Sequence, residues 1–77
     1  MNKDIKKNED SGIDFSDLKE WKTLKALAYE HQQFTLDQLR LLTRHREVNG
    51  LNAICKKIGK TLYIHDSGFS LWISQQN

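Results

Sequence analysis

One cysteine, Cys55, is the only thiol in this 77-residue chain. No internal disulfide can form, so the sequence predicts a reducing, cytoplasmic setting and a fold without a covalent staple. No apolar run approaches the ~20 residues of a membrane-spanning helix. The charged start also lacks the apolar stretch of a secretory signal, so no membrane partner is expected. Internal repeats and low-complexity segments are missing. His31, Cys55 and His65 match no Cys/His spacing for zinc, and neither a metal nor another cofactor is expected. There is no Ser/His/Asp set, no paired carboxylates and no glycine-rich phosphate loop, so the chain is not expected to be an enzyme. Apolar residues are sparse before Leu18. Residues 1–15 therefore read as a disordered charged tail, with too little apolar surface to offset the entropy of ordering. Residues 16–77 read as one small domain with a thin core.

What the chain does have is unevenly placed charge. The net charge is only +2. Between positions 40 and 60, however, Arg40, Arg44, Arg46, Lys56, Lys57 and Lys60 face a single acid, Glu47, for a local balance of +5. A concentrated basic patch is the electrostatic footprint of phosphate binding, although a solvated basic face has the same composition.

Local patterns divide the domain. Trp21-Lys22-Thr23 reads as a short strand or a helix entry. Thr23 caps a helix from Leu24 to about His31, with Leu24, Leu27 and Ala28 on one buried face. A single longer helix starting at Ser16 and using Phe15, Leu18 and Trp21 is the competing reading. After the connection His31–Phe34, Thr35 caps a second helix that runs to about His45. Its Thr35-x-x-Gln38 spacing fits a capping box, and Asp37 in its first turn suits the helix dipole. Leu36, Leu39 and Leu42 form its inner side; Asp37, Arg40, Leu41, Arg44 and His45 fall on the outer side. Two short helices joined by about four residues are the helix-turn-helix pattern. Arg46–Gly50 reads as a loop in which Gly50 supplies a positive φ. Strands over Ala53–Ile58 and Thr61–Ile64 flank Gly59-Lys60, which suits a tight hairpin. Leu62 and Ile64 share one face of the second strand, and Thr61 and Tyr63 the other. Asp66 or Ser67 caps a last helix with Phe69, Trp72 and Ile73 clustered on one side. Cys55 reads as a small core hydrophobe, and Trp21, Phe69 and Trp72 as core aromatics.

The fold class expected is α+β, mainly α: a small winged helix-turn-helix with a short strand, two helices, a two-stranded wing and a last helix. The order of motifs resembles the MerR/excisionase superfamily, and within it the small AlpA-type proteins of prophages and mobile elements. Thr23, Phe34-Thr35, Leu39-Arg40, Asn49-Gly50-Leu51, Lys57-Ile58-Gly59-Lys60, Leu62-Tyr63-Ile64, Asp66, Phe69 and Trp72 carry the resemblance, which covers residues 20–74. Their joint order and spacing are specific; no motif is diagnostic by itself. The common Ser-Arg-x-Thr start of the second helix is missing, and Phe34-Thr35-Leu36 stands there. The long dimerisation helix and effector domain of MerR regulators have no counterpart here, so effector sensing is not expected.

The resemblance implies sequence-specific binding of double-stranded DNA. The second helix would lie in the major groove, and the wing on an adjacent groove or on backbone. It implies a role as an excisionase (a recombination directionality factor) or as a small transcriptional regulator of a mobile element, associated with the nucleoid. An integrase or recombinase is an implied partner, as is self-association on repeated sites. Gln38, Arg40 and Arg44 are the candidates for base edges or nearby phosphate, since Arg pairs bidentately with guanine and Gln with adenine. For Arg40 an ion pair with Asp37 is the competing role. Thr35 offers its hydroxyl and helix-start amides to a phosphate, or simply caps the helix. Arg46, Lys56, Lys57 and Lys60, joined by His45, are assigned to phosphate. The alternative function is a protein-interaction module that binds a recombinase, polymerase or phage factor without reading DNA.

Overall fold

The computed structural model describes residues 13–76. The expected disordered tail therefore lies, for residues 1–12, outside the described residues. After a 3-10 turn at Leu18–Glu20 the elements are β1 (Trp21–Thr23), α1 (Leu24–Glu30), α2 (Leu36–Arg44) and α3 (Arg46–Asn49). A second 3-10 turn, Leu51–Ile54, leads into β2 (Cys55–Ile58), β3 (Thr61–His65) and α4 (Asp66–Ser74). The class is α+β with helix predominating, as the sequence leads one to expect. No helix among the described residues is long and apolar enough to cross a membrane.

The first two helices start where cap chemistry puts them. Thr23 Oγ1 accepts from the amide of Ala26 at 3.1 Å, so the chain breaks at Thr23 and the longer helix from Ser16 does not form. Thr35 and Gln38 form the full capping box: Thr35 Oγ1 accepts from Gln38 N at 3.1 Å, and Gln38 Oε1 accepts from Thr35 N at 2.9 Å. Two orphan amides of the first turn are thereby satisfied by one pair of residues.

Four local expectations are corrected. Arg46–Asn49 is a short helix, not a loop. Asn49 pins its end: Nδ2 donates to the carbonyl of Leu42, Oδ1 accepts from Leu51 N, and the Asn49 carbonyl accepts from Trp72 Nε1 at 3.0 Å. Gly50 follows at φ +86°, the left-handed turn that lets the chain reverse. Next, β2 begins at Cys55 rather than Ala53, because Leu51 and Ile54 are drawn into the core by the 3-10 turn. Third, α4 is capped by His65, not Asp66 or Ser67: His65 Nδ1 accepts from Gly68 N at 3.0 Å. Finally, the sheet has three strands. β1 adds to the far side of β3, giving the order β1-β3-β2, all antiparallel, with Trp21 opposite His65 and Cys55 opposite Ile64.

The register gives the sheet two different faces. Ile64 and Cys55 point inward and join Leu27, Leu39, Leu51, Ile54 and Phe69 in the core. Phe34 packs edge-on against Phe69 at 5.4 Å, and Trp72 stacks on Phe69 at 6.1 Å. Trp21, Lys56, Ile58, Tyr63 and His65 belong to the outer face. Trp21 is thus a half-buried lid rather than a core residue. It and Phe15 cover the fully buried His65, with ring centroids 5.0 and 4.5 Å away. The Trp21 indole donates to the Phe15 carbonyl at 2.9 Å.

Candidate nucleic-acid interface

The outer side of α2 is polar and solvent-facing, as its period requires. Asp37, Gln38, Arg40, Leu41 and Arg44 are all exposed, while Leu39 and Thr43 are buried. Thr43 takes its hydroxyl inward by donating it to the Leu39 carbonyl at 3.0 Å. The helix is therefore held rigidly by one side and free on the other.

The candidate residues do not all have free side chains. Gln38 Oε1 is committed to the cap, and a bidentate pair with adenine needs that same oxygen. Thr35 is likewise an engaged cap. Arg40 meets Asp37 at 3.5 Å, the competing role considered for it. Both side chains are largely exposed, so this contact holds Arg40 only weakly. Arg46 donates to the Thr43 carbonyl at 2.8 Å and is half-buried, so it closes the end of α2. By contrast, Arg44, Lys56, Lys57 and Lys60 make no ion pair among the described residues. His45 is exposed at the junction of α2 and α3.

Tertiary structure sorts these cations into two grooves and the two faces of the hairpin. Arg40 from α2 and Lys60 from the hairpin turn line one groove of about 310 Å³, together with Lys25 from the first turn of α1. No carboxylate lines it. Gly59, at φ +65°, makes the tight turn that presents Lys60 there. Arg44, His45 and Arg46 border a second open groove of about 350 Å³, shared with Glu47 and Val48. Lys57 lies on the helix-facing side of the hairpin, opposite Leu62, whereas Lys56 lies opposite Tyr63 on the outer face. Lys56 is therefore separated from the other cations by the sheet itself. Lys25 is the residue that sequence reasoning missed. Charge over residues 21–39 balances to zero, so only its position on the exposed side of α1 marks it.

A second polar cluster lies behind the helices. Lys22 Nζ contacts Asp66 Oδ2 at 2.8 Å and also Glu30, and His31 Nε2 contacts Asp66 Oδ1 at 2.8 Å. Burial pushes the Asp66 carboxyl up, but hydrogen bonds from Lys22 and His31 outweigh it, and the net displacement is downward. The Lys22 ammonium is held above its ordinary range by the same bonds to Asp66 and Glu30. Ligand atoms of Glu30, His31 and Asp66 lie within 4.8 Å of one another, close enough for a cation, but the Lys22 ammonium already supplies the positive charge. His65 is saturated too: Nδ1 accepts from Gly68 N, and Nε2 faces the Asp14 carbonyl at 3.1 Å, which together specify the neutral Nε2–H ring. Burial pushes the Cys55 thiol up, against a smaller opposing pull from Arg46, so it stays an inert core group.

Neither a known protein family, nor a characterised protein, nor a solved structure matches this chain.

Proposed function

We propose that this chain is a small winged helix-turn-helix protein that binds double-stranded DNA. The observation that carries the reading is the shared groove of Arg40, Lys60 and Lys25. Three cations from three separate elements converge there, and no carboxylate lines the groove. Such convergence fits a phosphate backbone crossing the mouth of the helix pair, because phosphate contacts set register and orientation. In this reading α2 enters the major groove, and the β2–β3 hairpin is the wing. Arg44, exposed and without an ion pair, reads a base edge; Lys25, Lys57 and Lys60 hold phosphate. Gln38 and Thr35 serve the helix rather than the bases. With the motif resemblance, this suggests an excisionase or a small regulator of a mobile element, acting beside a recombinase or on repeated sites, with no catalytic step of its own.

Fluorescence anisotropy with a labelled duplex from the region around its own gene tests the reading. Affinity should fall by roughly 0.9 log unit per log unit of salt for each phosphate neutralised. A random duplex should bind more weakly. Equal binding to specific duplex, random duplex and no-phosphate control, or none at low salt, would sink the proposal.

A further inference from the structure

The groove shared by Lys25, Arg40 and Lys60 is only half explained by its cations. Those three side chains are exposed and form its rim, but its floor is apolar. Leu24, Leu36 and Leu62 line it, each half-buried. Leu24 and Leu62 also pack against the core, so the floor is held in place from beneath. Of the two hydroxyls that line the groove, Thr23 Oγ1 already accepts from the amide of Ala26, and Thr61 is exposed next to Lys60 at the rim.

A lone phosphate has no use for three leucines. An anion keeps its water or finds hydrogen-bond donors, and an apolar floor offers neither. A ligand that carries C–H surface beside its phosphate fits both halves of the groove. Along a duplex strand that surface is the sugar, because the bases are paired and stacked inward. Deoxyribose presents a methylene at C2′ where ribose presents a hydroxyl, and this hydroxyl is what tells RNA from DNA at a given contact. Over the leucine floor a 2′-hydroxyl would lose water without gaining a partner, which costs affinity.

We infer that the groove holds one sugar–phosphate unit of a strand, with phosphate at the cationic rim and the sugar on the leucine floor, and that it selects deoxyribose over ribose at that point. The inference rests on the DNA reading. It gives Leu36 a role there: Leu36 is the floor residue supplied by α2, the helix placed in the major groove.

Anisotropy titrations of the full chain test it. The probe is the tightest-binding duplex from a random-sequence pool, with ribonucleotides substituted one at a time along each strand. At one position, or two adjacent ones, on one strand, affinity should fall by at least about fivefold, and elsewhere it should change by less than about twofold. Leu36→Asn offers the hydroxyl a partner and should reduce the fall to within about twofold. Leu36→Met keeps the floor apolar and should retain it. A flat scan overturns the inference, as does a fall that persists in Leu36→Asn or vanishes in Leu36→Met; duplex binding with its salt slope would then still stand. The scan with the parent chain needs no variant, so it decides even if Leu36→Asn fails to fold. No binding to any duplex at low salt overturns the DNA reading itself, and this inference with it.

Discussion

Lys22 on β1 and Asp66 at the start of α4 meet at 2.8 Å across 44 residues of sequence. Glu30 and His31 complete the cluster from the end of α1. This cluster joins the first strand, the end of the first helix and the start of the last helix through charged hydrogen bonds.

Acid should weaken this joint. The Asp66 carboxyl is displaced below its ordinary value near 3.8. A carboxyl depressed by folding contributes stability that is present above its unfolded value and lost as pH falls through its folded value. Lys22, displaced upward, contributes stability that is fully present below 10.5 and lost only above it. Thermal unfolding should therefore be insensitive to this pair from above about pH 4 to about pH 10, and drop below pH 4. Asp66→Asn should flatten the acid limb and cost about 0.5–1.5 kcal/mol at neutral pH, since it leaves Lys22 with Glu30 as its one charged partner in the cluster. Circular dichroism melts across pH read both effects.

Gly68→Ala should destabilise the fold by about 1–3 kcal/mol, the usual range for overpacking. A Cβ there would lie 2.8 Å from Ile54 Cγ2 and 3.3 Å from His65 Nδ1. The strain would fall on the core and the α4 cap together. Urea denaturation measures it; an unchanged midpoint would show that α4 does not sit this close to the 3-10 turn.

The capping box separates stability from recognition. Gln38→Ala should lower stability by about 0.5–1 kcal/mol and leave DNA sequence preference unaltered, because Oε1 is spent on the Thr35 amide. A changed base preference with unchanged stability would reverse that assignment and return Gln38 to the bases.

Arg44→Ala and Lys60→Ala should differ in kind. Loss of Arg44 should cost ~1–3 kcal/mol against the preferred duplex and little against a random one. Loss of Lys60, or of Lys25, should weaken all duplexes alike and reduce the salt slope by about one. Anisotropy titrations at several salt concentrations distinguish the two patterns.

Caps made α1 and α2 legible in the sequence, because Thr23 and Thr35 act within their own turn. α3 was illegible for the opposite reason. Its one large apolar side chain, Val48, is 85% exposed, and its end is pinned by Asn49 and Trp72, which lie 23 residues apart. Nor does β1 declare its partner, since three residues cannot show an alternation and the pairing strand lies far along the chain. At the candidate site, Arg40, Arg44 and Lys60 stood out as members of a dense basic run. The division of Lys56 from Lys57 did not, because adjacent strand residues look alike until the register assigns each a face.

The distance between β1 and β3 also governs when this domain can become whole. Trp21 pairs with His65, so the sheet has no third strand until nearly the last element exists. Closing so long a loop carries an entropy cost that local turns do not, and contacts of this range slow folding. α1, α2 and the hairpin can form from nearby residues as synthesis proceeds. The seal of Phe15 and Trp21 over His65 comes afterwards, and a chain truncated before β3 lacks Ile64 and Phe69 of the core as well as the closed sheet.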